Sequence, residues 1–160
     1  MNDNQQLITH FYSAFQRLDF RVMQDCYHED AIFFDPVFEN LNSTEVKAMW
    51  EMLCKNATNF SLEFSEVQAD EEYGSCKWIA RYTFSQTARN VTNHVKAHLR
   101  FHEGKIVEHT DHFDVWKWSR QALGLPGWLL GWSGVLQKKV HSKAKTNLLK
   151  FMATNAEVNK

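Results

Sequence analysis

Proline and glycine are scarce, at two and six residues in a chain of 160. That scarcity excludes collagen-like, linker-rich and low-complexity organisation and leaves room for long uninterrupted elements. Cysteine is equally rare: Cys26, Cys54 and Cys76 are an odd number, which argues against a disulfide framework and for reduced thiols. The opening residues Met1-Asn-Asp-Asn-Gln-Gln lack the basic and apolar regions of an export signal, so a cytoplasmic protein is expected. No run of eighteen apolar residues occurs, which excludes a membrane-spanning helix of ordinary type. A glycine-rich phosphate loop and a Gly-x-Ser-x-Gly elbow are also missing. Acid is missing from one region, since no Asp or Glu lies between Val115 and Ala156.

What is present is a globular composition, with 44% hydrophobic and 23% charged residues, and a length suited to a single core. The charge is split along the chain. Residues 1–114 carry 10 Lys and Arg against 18 Asp and Glu, a net −8; residues 115–160 carry 8 against 1, a net +7. Such a basic tail can meet anionic lipid, nucleic acid or the acidic half of its own chain.

The periodicity changes once. Leu7, Ile8, Phe11, Phe15 and Leu18 recur at three- and four-residue spacing and predict a helix; Asp19 predicts the cap of a second, short one through Met23 and Cys26. Ala31-Ile-Phe-Phe-Asp-Pro-Val-Phe38 reads as a short strand broken by Pro36. Asn42 with Glu45 forms a capping-box pattern before a helix that aligns Val46, Met49, Trp50 and Leu53. From Phe60 the period becomes two, predicting strands over 60–67, 76–86, 91–102 and 106–116, with turns near Gly74 and Gly104. Trp78, Ala80, Tyr82 and Phe84 share one face, as do Val95, Ala97, Leu99 and Phe101. Three helices followed by a strongly curved antiparallel sheet make an α+β fold, a cone with one apolar pocket.

Two segments carry candidate chemistry. Asp35 follows Ile32-Phe-Phe34 and precedes Pro36, which suits either a turn or a desolvated carboxyl of raised pKa. In Val107-Glu-His-Thr-Asp-His-Phe-Asp-Val115, alternation turns Val107, His109, Asp111, Phe113 and Val115 inward. His109 and Asp111 then sit about 7 Å apart along the strand, a gap for water or substrate. Their alternative is a satisfied core histidine and a buried, hydrogen-bonded carboxylate. His94, His98 and His102 are four apart in a strand and so about 13 Å from one to the next rather than clustered, so no metal site is expected.

The order of elements, with His28-Glu-Asp-Ala-Ile-Phe-Phe-Asp-Pro-Val37 and Gly104-Lys-Ile-Val-Glu-His-Thr-Asp-His-Phe-Asp114, resembles the NTF2-like superfamily of ketosteroid isomerases and SnoaL-like polyketide cyclases. The resemblance covers residues 5–118. It implies that Asp35 takes the place of the isomerase proton-shuttling base and that Asp111 takes that of an inward acid/base on the last strand. It also exposes departures: Phe11 and Ala97 stand where isomerases carry a Tyr and an Asp as oxyanion donors, which argues against steroid isomerisation. The epoxide-hydrolase relatives' Arg-x-Asp partner is Val95-x-Ala97 here.

The expectation is therefore a SnoaL-like domain over 1–118, extended at 119–160 by a Trp/Leu-rich turn and a basic amphipathic helix. Its apolar pocket, lined by Phe11, Phe15, Phe33, Trp78, Tyr82, Phe84, Ala97 and Phe113, holds a small hydrophobic molecule. Cofactor-independent acid/base chemistry of isomerase, cyclase or hydrolase type would use Asp111, with His109 and, across the pocket, Asp35. The alternative is a non-catalytic ligand-binding or interaction module. A homodimer through the outer sheet face is expected by analogy, and nucleic acid is not expected as a partner. The tail helix, with Leu136, Val140, Ala144, Leu148 and Phe151 or Met152 on one stripe, either packs on the domain with Trp128 and Trp132 buried or touches a membrane surface.

Overall fold

The computed structural model describes the backbone of residues 1–130 and 133–160, and the side chains outside 128–132. Two N-terminal helices, α1 (Asp3–Gln16) and α2 (Phe20–Asp25), lead into a hairpin of β1 (Tyr27–Asp35) and β2 (Glu39–Asn42). Helix α3 (Ser43–Asn56) follows, then β3 (Ser61–Ala69), β4 (Tyr73–Phe84), β5 (Arg89–His102) and β6 (Lys105–His112). The chain ends in α4 (Val115–Leu123), α5 (Leu125–Leu130) and α6 (Gly134–Val158).

Local chemistry sets the boundaries. Asn2 with Gln5, and Asn42 with Glu45, form reciprocal capping boxes at α1 and α3. Asp19 caps α2 by accepting from the Val22 amide. The last strand stops at His112 instead of reaching Trp116, because Asp114 accepts from the Lys117 amide and starts α4 there.

The six strands form one sheet in the order β2-β1-β6-β5-β4-β3. Every neighbouring pair is antiparallel except β1 and β6, which run parallel. The expected α+β fold with a curved, mainly antiparallel sheet thus includes one parallel junction. The short β2, absent from the sequence reading, exists because β1 turns back on itself at Pro36. Register slips at Val107: Arg100 pairs with Glu108 and Phe101 with Ile106, leaving Val107 as the extra residue of a bulge. Ile106, not Val107, is therefore buried, while His109 and Asp111 keep the inward positions. Helices α1 and α3 cover the sheet's concave side, and Ile8, Phe11, Phe15, Val46, Met49 and Trp50 bury their apolar faces in the core. Tyr12, one step from Phe11, is fully buried too, since α1 sinks a wider face than a narrow stripe.

The tail helix folds back onto the domain. Leu148 is fully buried, His141 Nδ1 donates to the Val37 carbonyl at 2.8 Å, and Lys145 reaches Glu45 at 3.1 Å. The basic tail thus meets the acidic half of its own chain, and its Leu136–Phe151 stripe turns toward the domain. Trp132 and the Trp128 side chain lie outside the described residues. Among the described residues no helix is long and apolar enough to cross a membrane. Truncating the anchor, Leu148→Ala, is expected to cost about 2–5 kcal/mol in urea-induced unfolding, the usual range for a buried leucine.

Candidate active site

The parallel β1–β6 junction assembles the site. Phe33 pairs with His109 and Phe34 with Thr110, so Asp35 and Asp111 come next at the same level of adjacent strands, about 5 Å apart in the backbone. Both point inward, 8% and 3% exposed, and both line one cavity of about 670 Å³. Asp35 is beside Asp111 rather than across the pocket from it, because the strand that carries it joins the sheet next to β6.

Asp35 fulfils both of its readings at once. One oxygen, Oδ1, accepts from the Val37 and Phe38 amides at 2.8 and 2.6 Å, the turn that Pro36 opens. Burial nevertheless dominates: it pushes the Asp35 carboxyl up to about 7, with the charge of Asp111 adding to the rise and the two amide bonds opposing it.

Asp111 and His109 are in direct contact, closing the gap that strand spacing alone suggests. The imidazole Nε2 lies 2.9 Å from Asp111 Oδ1, and Nδ1 lies 2.7 Å from the Tyr27 hydroxyl. Trp50 fixes the direction of this chain. Its indole N–H, which can only donate, gives its proton to Tyr27 Oη at 2.9 Å. Tyr27 then donates to Nδ1, and Nε2–H donates to Asp111. The opposite direction would leave the buried Tyr27 proton without an acceptor among the described residues. His109, fully buried and with its ring near-parallel to those of Tyr27 and Trp50, is not on the cavity surface. Its hydrogen bond toward the cavity is the one to Asp111.

The cavity walls take Phe15, Trp78, Tyr82, Phe84 and Phe113 from the expected set. Phe11, Phe33 and Ala97 do not line it: Phe11 and Phe33 pack edge-on against His109 in the layer beneath, and Ala97 is buried at the strand position paired with Asp111. The sequence reading missed what α3, α4 and α6 add, namely Met49, Trp50, Trp118, Val140 and Phe151. Helical periodicity marked most of these as apolar; nothing local marked which cavity they faced. Tyr82, on the wall, accepts the Trp118 N–H at 2.8 Å, and its own proton has no acceptor among the described residues. Burial raises its pKa, keeping it a donor.

Thiol chemistry is disfavoured, since burial pushes Cys26 up to about 11 and Cys54 and Cys76 to about 12. Among the described residues one group could hold a metal: His28, His102 and Glu103 place their ligand atoms within 4.8 Å of one another at the sheet end, and none of them lines the cavity. Only His102 belongs to the histidine series read in the sequence; His28 reaches it across the fold.

Comparison with known proteins matches residues 8–109 to a family model described as a SnoaL-like domain. The fold is similar to an NTF2-like protein of unknown function from Burkholderia pseudomallei, at 23% identity and a TM-score of 0.61 over 71% of this chain and 92% of that one. It is also similar to a candidate polyketide cyclase from Pseudomonas putida, at 17% identity and 0.63 over 76% and 98%. An LEH-like epoxide hydrolase from M. tuberculosis aligns at 16% identity and 0.62 over 84% and 95%. The curated proteins gave no match.

Three outcomes are expected from this geometry. Folded Asp35 holds its proton up to about 7 whereas the unfolded carboxyl loses it near 3.8, so the native state binds more protons between those values. Stability therefore falls as pH rises through that window, by up to about 4 kcal/mol, and Asp35→Asn should flatten the slope in urea titrations at pH 5 and 8. In Tyr27→Phe, the Trp50 N–H and His109 Nδ1 both lose their partner, for an expected cost of about 1–3 kcal/mol. In the wild type, ¹⁵N spectra at neutral pH should place the imidazole proton on Nε2.

Proposed function

Since the chain belongs to the SnoaL-like domain family, we propose that its cavity binds a small hydrophobic molecule and moves a proton on it without a cofactor. One observation carries this reading: two inward carboxyls at the same level of adjacent strands form the floor of an apolar cavity. Two such groups are costly to bury unless they share protons and partners. A pair in which one member is charged and the other protonated can take a proton from one atom of a ligand and return one to another.

Asp111 is the base, its carboxylate steadied by the His109 N–H; His109 is a positioning residue, held by Tyr27 and Trp50. Asp35, whose burial holds its proton into the neutral range, supplies the returning proton. The ligand loses a proton to Asp111 and gains the one on Asp35, so the pair still holds one proton at the end. Tyr82 offers its O–H to the oxygen on which negative charge builds. This donor is not at the isomerase positions, where Phe11 and Ala97 carry no hydrogen-bonding side chain, which favours another isomerase, cyclase or hydrolase chemistry over steroid isomerisation.

The same two positions favour a second reading, a binding or interaction module that holds its ligand unchanged. The exposed row His94, Lys96 and His98 on the outer sheet face offers a surface for a homodimer in either case. Contact of α6 with a membrane is less well supported, because its apolar stripe is turned to the domain.

Native mass spectrometry of the purified protein should release and identify the bound molecule, which is then returned to the protein in D₂O. Wild type is expected to exchange ligand hydrogen for deuterium, Asp111→Asn to be slower by about 10²–10⁴-fold, and Tyr82→Phe by about 10²-fold. Wild-type rates in Asp111→Asn would overturn the assignment of the base, and binding without exchange in the wild type would select the second reading.

A further inference from the structure

The cavity lining carries bases as well as acids. Among the described lining residues, the charged ones are Asp35 and Asp111 on the floor and Lys139, Lys143 and Lys150 from α6. The spacing of four and seven keeps the three lysines on one helix face, beside Leu136, Val140 and Ala144 of the same wall. The two acids are buried; the three lysines are exposed, so the lysines mark the mouth. They form no ion pair among the described residues, unlike Lys145 on the other side of α6, which is held by Glu45. Their helix does not swing freely: buried Leu148, the His141 bond to the Val37 carbonyl and the Lys145–Glu45 pair pin it over the cavity.

Resting on the reading of this cavity as a small-molecule site, we infer that its ligand is an amphiphile with an apolar, ring-bearing body and an anionic head. The head sits among Lys139, Lys143 and Lys150 and the body runs down between Trp78, Phe113 and Trp118 toward the carboxyls. A cavity of about 670 Å³ is ample for two or three fused rings. The polarity of the site also fixes orientation. An anionic head is repelled from Asp111 and drawn to the mouth, so the end of the molecule remote from the head reaches the acid pair. These lysines lie in the extension beyond the matched family residues 8–109, so this selectivity belongs to the tail helix and not to the shared core.

The test is a fluorescence titration of the full chain with anthracene-2-carboxylate and with its neutral analogue 2-anthracenemethanol. The wild type is expected to bind the carboxylate at least tenfold more tightly, with the advantage shrinking as salt rises from 50 to 500 mM. The variant Lys139→Gln/Lys143→Gln/Lys150→Gln should bring the two probes within about threefold while leaving alcohol binding unchanged. A control, Lys138→Gln/Lys160→Gln, removes charge away from the cavity lining and should keep the preference; circular dichroism checks that each variant is folded. Equal binding of the two probes by wild type, or a preference that survives in the triple variant, overturns the anionic head while leaving the cavity a ligand site. Failure of both probes to bind the wild type overturns the head and the cavity reading together. Loss of deuterium exchange in Asp111→Asn is a separate readout and moves neither result.

Discussion

The parallel pairing of β1 with β6 is the constraint on which the rest of the site depends. It is the one parallel junction in the sheet, and it joins a strand from the start of the domain to a strand from its end. Tyr27 meets His109 across it, and Asp35 meets Asp111 across it. Both partnerships require residues more than seventy positions apart to arrive at one level with their side chains on one face. A slip of one residue would turn either strand's carboxyl out to solvent.

The buried polar groups then become mutually dependent. Trp50 orients Tyr27, Tyr27 orients His109, and His109 presents one proton to Asp111. Each step satisfies a group that would be expensive to bury alone, and the direction of the chain follows from the single-purpose donor at its head. Asp35 has backbone amides on one oxygen, and burial outweighs those bonds and the opposing influence of His109, so its proton stays on into the neutral range. The contrast between two adjacent carboxyls, one tied to an imidazole and one tied to a turn, is produced by packing.

The extension after the last strand completes the cavity. Helix α4 brings Trp118 to Tyr82, and α6 closes one side with an apolar stripe and a lysine edge. The acidic body and basic tail that look like two regions in the sequence are parts of one folded unit, joined through Glu45 and Lys145. Bases that could have been spent on an anionic surface are divided between holding the helix down and lining the cavity mouth.

Much of the fold was legible locally. The capping residues Asn42 and Asp19, the change of period near Phe60 and the apolar alternation in β4 and β5 each depend on neighbours within a few positions, so the sequence alone determines them. It also determines that Asp35 is beside a proline turn and that His109 and Asp111 share a face. The hairpin return to β2, the bulge at Val107 and the parallel entry of β1 beside β6 depend on pairings that no local pattern encodes. Those pairings decide that Asp35 is Asp111's neighbour, that Phe11 and Phe33 support the site from beneath instead of lining it, and that His109 touches Asp111 directly. Residue identity supplies the acids, the imidazole and the lysines; only the tertiary structure, by setting which of them lose water together, decides what each can do.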